Sequence, residues 1–270
     1  MPYIQIQEGV KVFVEDINPG SEQTVLFIHG WPVNHRMFEY QFNQLPCWGI
    51  RCISMDIRGF GQSDKPWDGY GYNTLADDIR CVIDALGLEN ITLLGFSVGG
   101  AISARYMARH LGYGVSKLAL VSSATPLFTR RPDYPFALPV AEVNKLISQT
   151  YTDRPKMLSD FGDQFFAGSL SCEFKNWFNG LGLEASGHAT ASLAVSLRDE
   201  DSRQDVRQIS VPTAIFHGIH DQIVPFPSAR ETQRRIRDSS LIPFEFSGHG
   251  LVIDERDKFN NYLAQFVGMP

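Results

Sequence analysis

The sequence predicts an α/β fold: a mostly parallel, eight-stranded sheet flanked by helices, with a helical cap inserted into it. Three observations carry that prediction. Short apolar runs bounded by turn residues alternate with stretches of helical periodicity, the pattern of strands covered on both faces. The alternation stops between about 125 and 208, where prolines and aromatics crowd the chain, and then resumes. A length of 270 residues, 43% hydrophobic and 20% charged, is enough to bury one substantial core.

The elements follow in order. Tyr3 to Gln7 and Lys11 to Glu15 alternate with period two around Glu8-Gly9 and read as a hairpin. Thr24 to His29 and Ile50 to Met55 are continuous apolar runs, as buried strands require. Thr74 to Leu86 sets Leu75, Ile79, Val82, Ile83 and Leu86 at helical spacing, with Gly87 as C-cap. Ile91 to Phe96 is a strand and Val98 to Arg109 the helix behind it; Lys117 to Val121 is a further strand. Thr213 to His217 and Leu241 to Phe246 complete the sheet, and a helix from about Glu255 to Phe266 closes the chain. Residues 1–124 and 209–270 thus form the core domain. Residues 125–208, with prolines at 126, 132, 135, 139 and 155 and the aromatic pieces DFGDQFFAG and FKNWFNG, form the cap.

Composition removes several functions. The net charge is -6, from 24 basic and 30 acidic residues, and no basic stripe stands out, so nucleic acid is not an expected partner. Arg230 to Arg237 is interleaved with Glu231 and Ile236 and reads as a solvated helix face. No apolar stretch spans a bilayer, and the start lacks the basic-then-apolar pattern of a signal peptide. Cys47, Cys52, Cys81 and Cys172 show no C-x-x-C pairing and are expected to be reduced core thiols of a cytoplasmic protein. No His, Cys and carboxylate cluster has ligand spacing, and no Gly-x-Gly-x-x-Gly follows a strand, so neither metal nor cofactor is expected. A small molecule is the expected partner, and the sequence is compatible with a homo-oligomer.

Gly95-Phe96-Ser97-Val98-Gly99-Gly100 ends a strand and opens a helix. A serine there sits on a cramped turn that small neighbours permit, and the Val98 N–H points from a helix N-terminus to where an oxyanion would form. A serine hydroxyl needs a base, and the base an orienting acid. His249, in Ser247-Gly248-His249-Gly250 after the last strand, is the candidate base. Asp221, in the loop His217-Gly218-Ile219-His220-Asp221 after a strand, is the candidate acid; Asp199 and Asp201 are weaker because they lie in the cap. His29 reads as a hydrogen-bonder behind the turn at Gly30, while His217 and His220 flank a turn. His35, His110 and His188 have no motif around them and are expected at the surface or in loops.

The order Ser97, Asp221, His249, with IHGWP, MDIRGFGQSDKP, GFSVGG, HGIHDQIVP and SGHGL, resembles the α/β-hydrolase family over nearly the whole chain. ATPLFTRRPDYP and DQIVPF resemble more narrowly the bacterial aryl esterases that also act as cofactor-free haloperoxidases and perhydrolases. The resemblance implies a serine esterase with Ser97 as nucleophile and the N–H groups of Trp31 and Val98 as oxyanion hole. Phe128, Phe161, Phe165 and Ile223 would line an apolar acyl or alcohol pocket, as similar positions do in those esterases. The expected substrates are small apolar or aryl esters. Serine at 97 argues against the similar dehalogenases and epoxide hydrolases, which place Asp there. γ-Lactamases, carbon–carbon hydrolases and ligand-sensing hydrolase-like proteins share the scaffold and stay open. In the perhydrolases that this chain resembles, a proline at the position of Pro32 goes with use of hydrogen peroxide in place of water.

Overall fold

A computed structural model describes residues 2–268. Its eight strands are β1 (Tyr3–Gln7), β2 (Val10–Ile17), β3 (Gln23–Ile28), β4 (Ile50–Met55), β5 (Ile91–Phe96), β6 (Val115–Val121), β7 (Thr213–Gly218) and β8 (Ser239–Phe244). They form one sheet in the order β1-β2-β4-β3-β5-β6-β7-β8. β2 runs antiparallel to β1 and β4, and every pairing from β4 to β8 is parallel. Every residue of β5 is buried, as are the last four of β3, which is why both read as unbroken apolar runs.

The chain moves one way across the sheet from β3 to β4 and the other way from β4 to β5. Right-handed crossovers therefore put α1 (Glu39–Phe42) on one face, and α2 (Tyr72–Leu86) and α3 (Val98–Arg109) on the other. This reversal leaves a crevice at the carboxyl ends of the central strands, where open α/β sheets bind ligands. Four helices lie between β6 and β7: α4 (Val140–Thr152), α5 (Arg154–Gly162), α6 (Cys172–Leu183) and α7 (Gly187–Asp199). α8 (Phe226–Gln233) joins β7 to β8, and α9 (Leu251–Asp254) and α10 (Arg256–Val267) follow the sheet.

Element boundaries shift where distant groups act. α2 begins at Tyr72 rather than Thr74, because Glu200 Oε1 accepts the Tyr72 N–H at 3.1 Å, a cap supplied from far along the chain. β8 is Ser239–Phe244 rather than 241–246. Its serines pair with Thr213 and Ala214, and Phe246 leaves the strand to donate its N–H to Glu255. Among the cysteines, Cys52 is buried, its thiol pushed up to about 12 by burial, and Cys81 is half-buried. Cys47 and Cys172 are exposed, which corrects the reading of all four as core thiols; each sits at a helix end, where no apolar face covers it. No helix among the described residues is long and apolar enough to cross a membrane.

One buried ion pair ties β1, α2 and the loop after β4. Arg58 donates to both oxygens of Asp78, at 2.7 and 2.6 Å, and to Gln7 Oε1 at 3.2 Å, with both charged side chains at most 3% exposed. Asp78→Ala leaves a guanidinium buried without its partner and is expected to cost about 3–5 kcal/mol in urea unfolding. Arg58→Met with Asp78→Leu should recover most of that loss.

Candidate active site

The candidate nucleophile, acid and base and the turn after β3 each lie in a loop at the carboxyl end of a strand. Gly30 and Trp31 follow β3, Ser97 follows β5, Asp221 follows β7 and His249 follows β8. Ser97 has φ +54° and ψ −119°, a strained backbone for a residue with a Cβ. Its N–H donates to Val121 O at 2.9 Å, and its carbonyl accepts from Gly100 and Ala124, which pins the turn from three sides. A Cβ on Gly99 would run into the main-chain oxygens of Ile28 and His29. A Cβ on Gly30 would lie 2.7 Å from Phe96 Cδ1 and 2.9 Å from Ser97 Cβ. The β3 exit and the serine turn are thus in direct contact, and glycine at 30 and 99 is what lets them approach.

His249 and Asp221 are brought together. His249 Nδ1 lies 2.8 Å from Asp221 Oδ2, and both side chains are fully buried. A carboxylate only accepts, so Nδ1 carries the proton and Nε2 keeps its lone pair. That Nε2 is buried and has no hydrogen-bond partner among the described residues. Asp221 Oδ1 accepts the N–H groups of Ile223 and Val224 at 2.9 and 2.8 Å. Burial alone would raise this carboxyl; the His249 charge and the hydrogen bonds from His217 and His249 outweigh it and hold Asp221 far below the usual carboxylate range.

His217 was visible in the sequence only as a residue beside a turn. It is buried, donates through Nε2 to Val224 O at 2.7 Å, and places the same nitrogen 3.3 Å from Asp221 Oδ2. Ser122, not singled out at all, donates to the His249 carbonyl at 2.7 Å. Its positive φ of 43° was the only other sign of a special role, and no motif encodes it. The imidazole of His249 packs edge-on against the rings of Phe96, at 5.0 Å, and Phe165, at 4.8 Å.

The loop after β3 is fixed from both sides. His29 Nε2 accepts the Ile57 N–H at 2.9 Å and Nδ1 donates to Gly30 O at 2.9 Å, so the ring is a neutral bridge. Burial lowers its pKa to about 4, against the opposing charge of Asp56. Trp31 donates its indole N–H to Thr190 O of α7 at 2.9 Å and packs edge-on against Phe161. The Trp31-Pro32 peptide is cis. Asn34 donates to Leu181 O and Glu184 Oε2 of the inserted segment. The main-chain N–H of Trp31 has no partner among the described residues. Val98 opens α3, so its N–H has no acceptor in the helix.

The remaining histidines correct the surface expectation in part. His35 is buried, with Nδ1 donating to Asp56 Oδ1 at 2.8 Å; its partner lies 21 positions away, beyond the reach of any local pattern. His110 and His188 are half-buried, donating to Asp77 and to Pro66 O, and His220 is exposed. Asp199 and Asp201 pair with Arg198 and Arg203.

A cavity of about 240 Å³ opens between α4, α5 and the loop of Asp221, lined by Leu138, Leu146, Met157, Phe161 and Ile223 together with the polar Glu142, Lys145, Gln149, Asp160, Gln164 and Gln222. Two of the four expected pocket residues therefore line it. Phe165 instead lies against His249 and Phe96, and Phe128 is buried outside that lining, its carbonyl accepting from Leu138.

Comparison with known proteins bears on the family and the fold. A family model described as alpha/beta hydrolase fold matches residues 23–256, and the chain belongs to that family. An AB hydrolase superfamily protein, YisY, of Bacillus subtilis is 51% identical over 98% of both chains. An esterase, EaEST, from Exiguobacterium antarcticum superposes with a TM-score of 0.95 at 47% identity, over 98% of each chain. A bromoperoxidase from Bacillus anthracis does so with 0.94 at 32% identity, over 98% of each. The parallel sheet, the helices on both faces and the haloperoxidase and esterase kinship implied by the motifs are thereby shown.

The neutral bridge at His29 has a measurable consequence. Its folded pKa of about 4 lies below the unfolded value of 6.5, so between those values only the unfolded chain binds the proton. Its contribution to stability is therefore complete above the unfolded value and falls as pH drops through that window, by about 3 kcal/mol. In His29→Gln, which keeps an acceptor but cannot ionise, the loss of stability from pH 7 to pH 4.5 should shrink by most of that amount in urea unfolding. An unchanged loss would show that the His29 ring is not the group responsible.

Proposed function

We propose that this α/β-hydrolase is a serine carboxylesterase acting on small apolar or aryl esters through an acyl-enzyme. One observation carries the reading: a buried His249 whose Nδ1–H is committed to Asp221 and whose Nε2 is left without a partner, at the same edge of the sheet as a strained Ser97. Those are the requirements of a general base beside a nucleophile.

In this mechanism, Nε2 takes the Ser97 hydroxyl proton as Oγ attacks the ester carbonyl. Asp221 holds the Nδ1–H tautomer and stabilises the imidazolium. The Trp31 and Val98 N–H groups receive the developing oxyanion. The imidazolium then protonates the departing alcohol. Water, deprotonated by the same Nε2, attacks the acyl-enzyme and releases the acid. Residues 125–208 serve as the cap over the core of 1–124 and 209–270. Phe161 and Ile223 shape the substrate pocket, with Phe165 packed against Phe161. Leu138, Leu146, Met157, Phe161 and Ile223 give the 240 Å³ cavity an apolar portion suited to apolar groups of modest size, beside polar neighbours that include Glu142, Lys145 and Asp160.

A second activity has its own support. Pro32 fixes its own φ and restricts Trp31, which biases where the Trp31 carbonyl points. A carbonyl aimed into the site can accept a hydrogen bond from hydrogen peroxide. Peroxide would then attack the acyl-enzyme in place of water and leave as a peracid, with Ser97 restored. Kinship with a bromoperoxidase supports this side activity.

Ser97→Ala is expected to lower kcat/KM for aryl acetates by at least about 10³-fold with an unchanged melting temperature. Retained activity would overturn the nucleophile. In the wild type, log(kcat/KM) should fall with unit slope at acid pH, because a protonated Nε2 cannot act as base while Asp221 stays ionised. A flat profile to pH 4 would exclude His249 as base. Pro32→Leu should lower peracid formation relative to hydrolysis in the presence of peroxide; an unchanged ratio would make Pro32 a scaffold residue only.

A further inference from the structure

Asp254, at the end of α9, has no cationic partner among the described residues, yet its carboxylate is well satisfied. Oδ2 accepts the main-chain N–H of Gly248 at 2.9 Å and that of Ala167 at 3.0 Å. Oδ1 accepts the N–H of Gly168 at 3.1 Å. One half-buried side chain thus joins two segments that are remote in sequence: the loop leading into His249 and the segment that follows α5. Charge-assisted bonds of this kind are the strong ones.

The joined segments bear directly on the imidazole. Gly248 immediately precedes His249, and Gly250, immediately after it, donates its N–H to Phe165 O at 2.8 Å. A Cβ on Gly248 would lie 3.0 Å from Ala167 N and 3.1 Å from Phe165 O, so the two backbones pack without side chains between them. The Phe165 ring, fully buried, meets the His249 ring edge-on at 4.8 Å with an interplanar angle of 86°. The neighbouring Glu255 reinforces the loop by accepting the Phe246 N–H and the Ser247 hydroxyl.

We propose that Asp254 is a positioning residue for His249: its carboxylate ties the Phe165–Gly168 segment to the histidine loop and thereby holds the Phe165 ring against the imidazole. The role rests on the reading of His249 as the base that activates Ser97. In Asp254→Asn the amide NH2 faces either the Gly168 N–H or the N–H groups of Gly248 and Ala167, and the oxygen that remains is uncharged, so the tie loses at least one bond and the bonds it keeps are weaker. The imidazole then loses its fixed approach to the hydroxyl, a displacement that costs rate rather than binding.

The test is the rate at which a small alkyl fluorophosphonate labels Ser97, followed by peptide mass spectrometry. In that reaction the Oγ–P bond forms, the P–F bond breaks and His249 takes the hydroxyl proton, with no need of the ester pocket. Asp254→Asn is expected to slow labelling about tenfold or more, with kcat for an aryl acetate reduced in step and KM within about twofold. Asp254→Glu, which keeps the acceptors, should restore part of the rate. In a Phe165→Leu background the Asn change should add at most about twofold, because both act through the same contact. Labelling of Asp254→Asn at the wild-type rate, or a full tenfold loss in both backgrounds, would overturn the role of Asp254 alone. A wild type that is not labelled at Ser97 would overturn the reading of the base along with it.

Discussion

The bond between His249 Nδ1 and Asp221 Oδ2, made where neither side chain meets solvent, sets the terms for the rest of the molecule. A buried carboxylate is costly unless its lone pairs are taken, and Asp221 is satisfied by two loop N–H groups as well as by the imidazole. Those N–H groups come from Ile223 and Val224, and His217 holds the Val224 carbonyl in turn. The carboxylate therefore organises its own loop. The same bond fixes the His249 tautomer and leaves Nε2 as a free lone pair on a ring packed against Phe96 and Phe165. Every later feature either aims that lone pair or places something opposite it.

The sheet does the aiming. Because β3, β5, β7 and β8 run parallel, the loops that follow them all open at one edge, and the reversal of winding between β3–β4 and β4–β5 opens a crevice there. Close backbone approach at Gly30 and Gly99 then presses the β3 exit against the serine turn. The inserted helices complete the enclosure rather than resting loosely on it. Thr190 holds the Trp31 indole, Leu181 and Glu184 hold Asn34, and Asp254 holds the Phe165–Gly168 segment. The loop after β3 and the histidine loop are thus both bonded to residues of the 125–208 segment.

Much of this is legible in the sequence because it is local. The strand-turn-helix around Ser97 announces itself in GFSVGG, and Asp221 and His249 follow strands whose apolar runs are plain. What escaped is long-range. Nothing near His35 predicts its bond to Asp56, and nothing near Tyr72 predicts the Glu200 cap that starts α2 two residues early. β8 lies at the sheet edge, where polar Ser239 and Ser240 blur the pattern, so the apolar run alone put the strand two residues late. Phe128 and Phe165 look alike on paper. Only packing distinguishes a ring against the imidazole from one buried outside the cavity lining. Asp254 carries no motif, since its partners are main-chain N–H groups, which any sequence supplies.

The central claim is that Ser97 carries the acyl group between two half-reactions. It is tested most directly by quenching the enzyme with acid during turnover of an aryl acetate and mapping the modified peptide by mass spectrometry. One acetyl group is expected, on the peptide containing Ser97 and at that side chain, and none when residue 97 is alanine. An acetyl group on another residue that forms and decays at the turnover rate would contradict it.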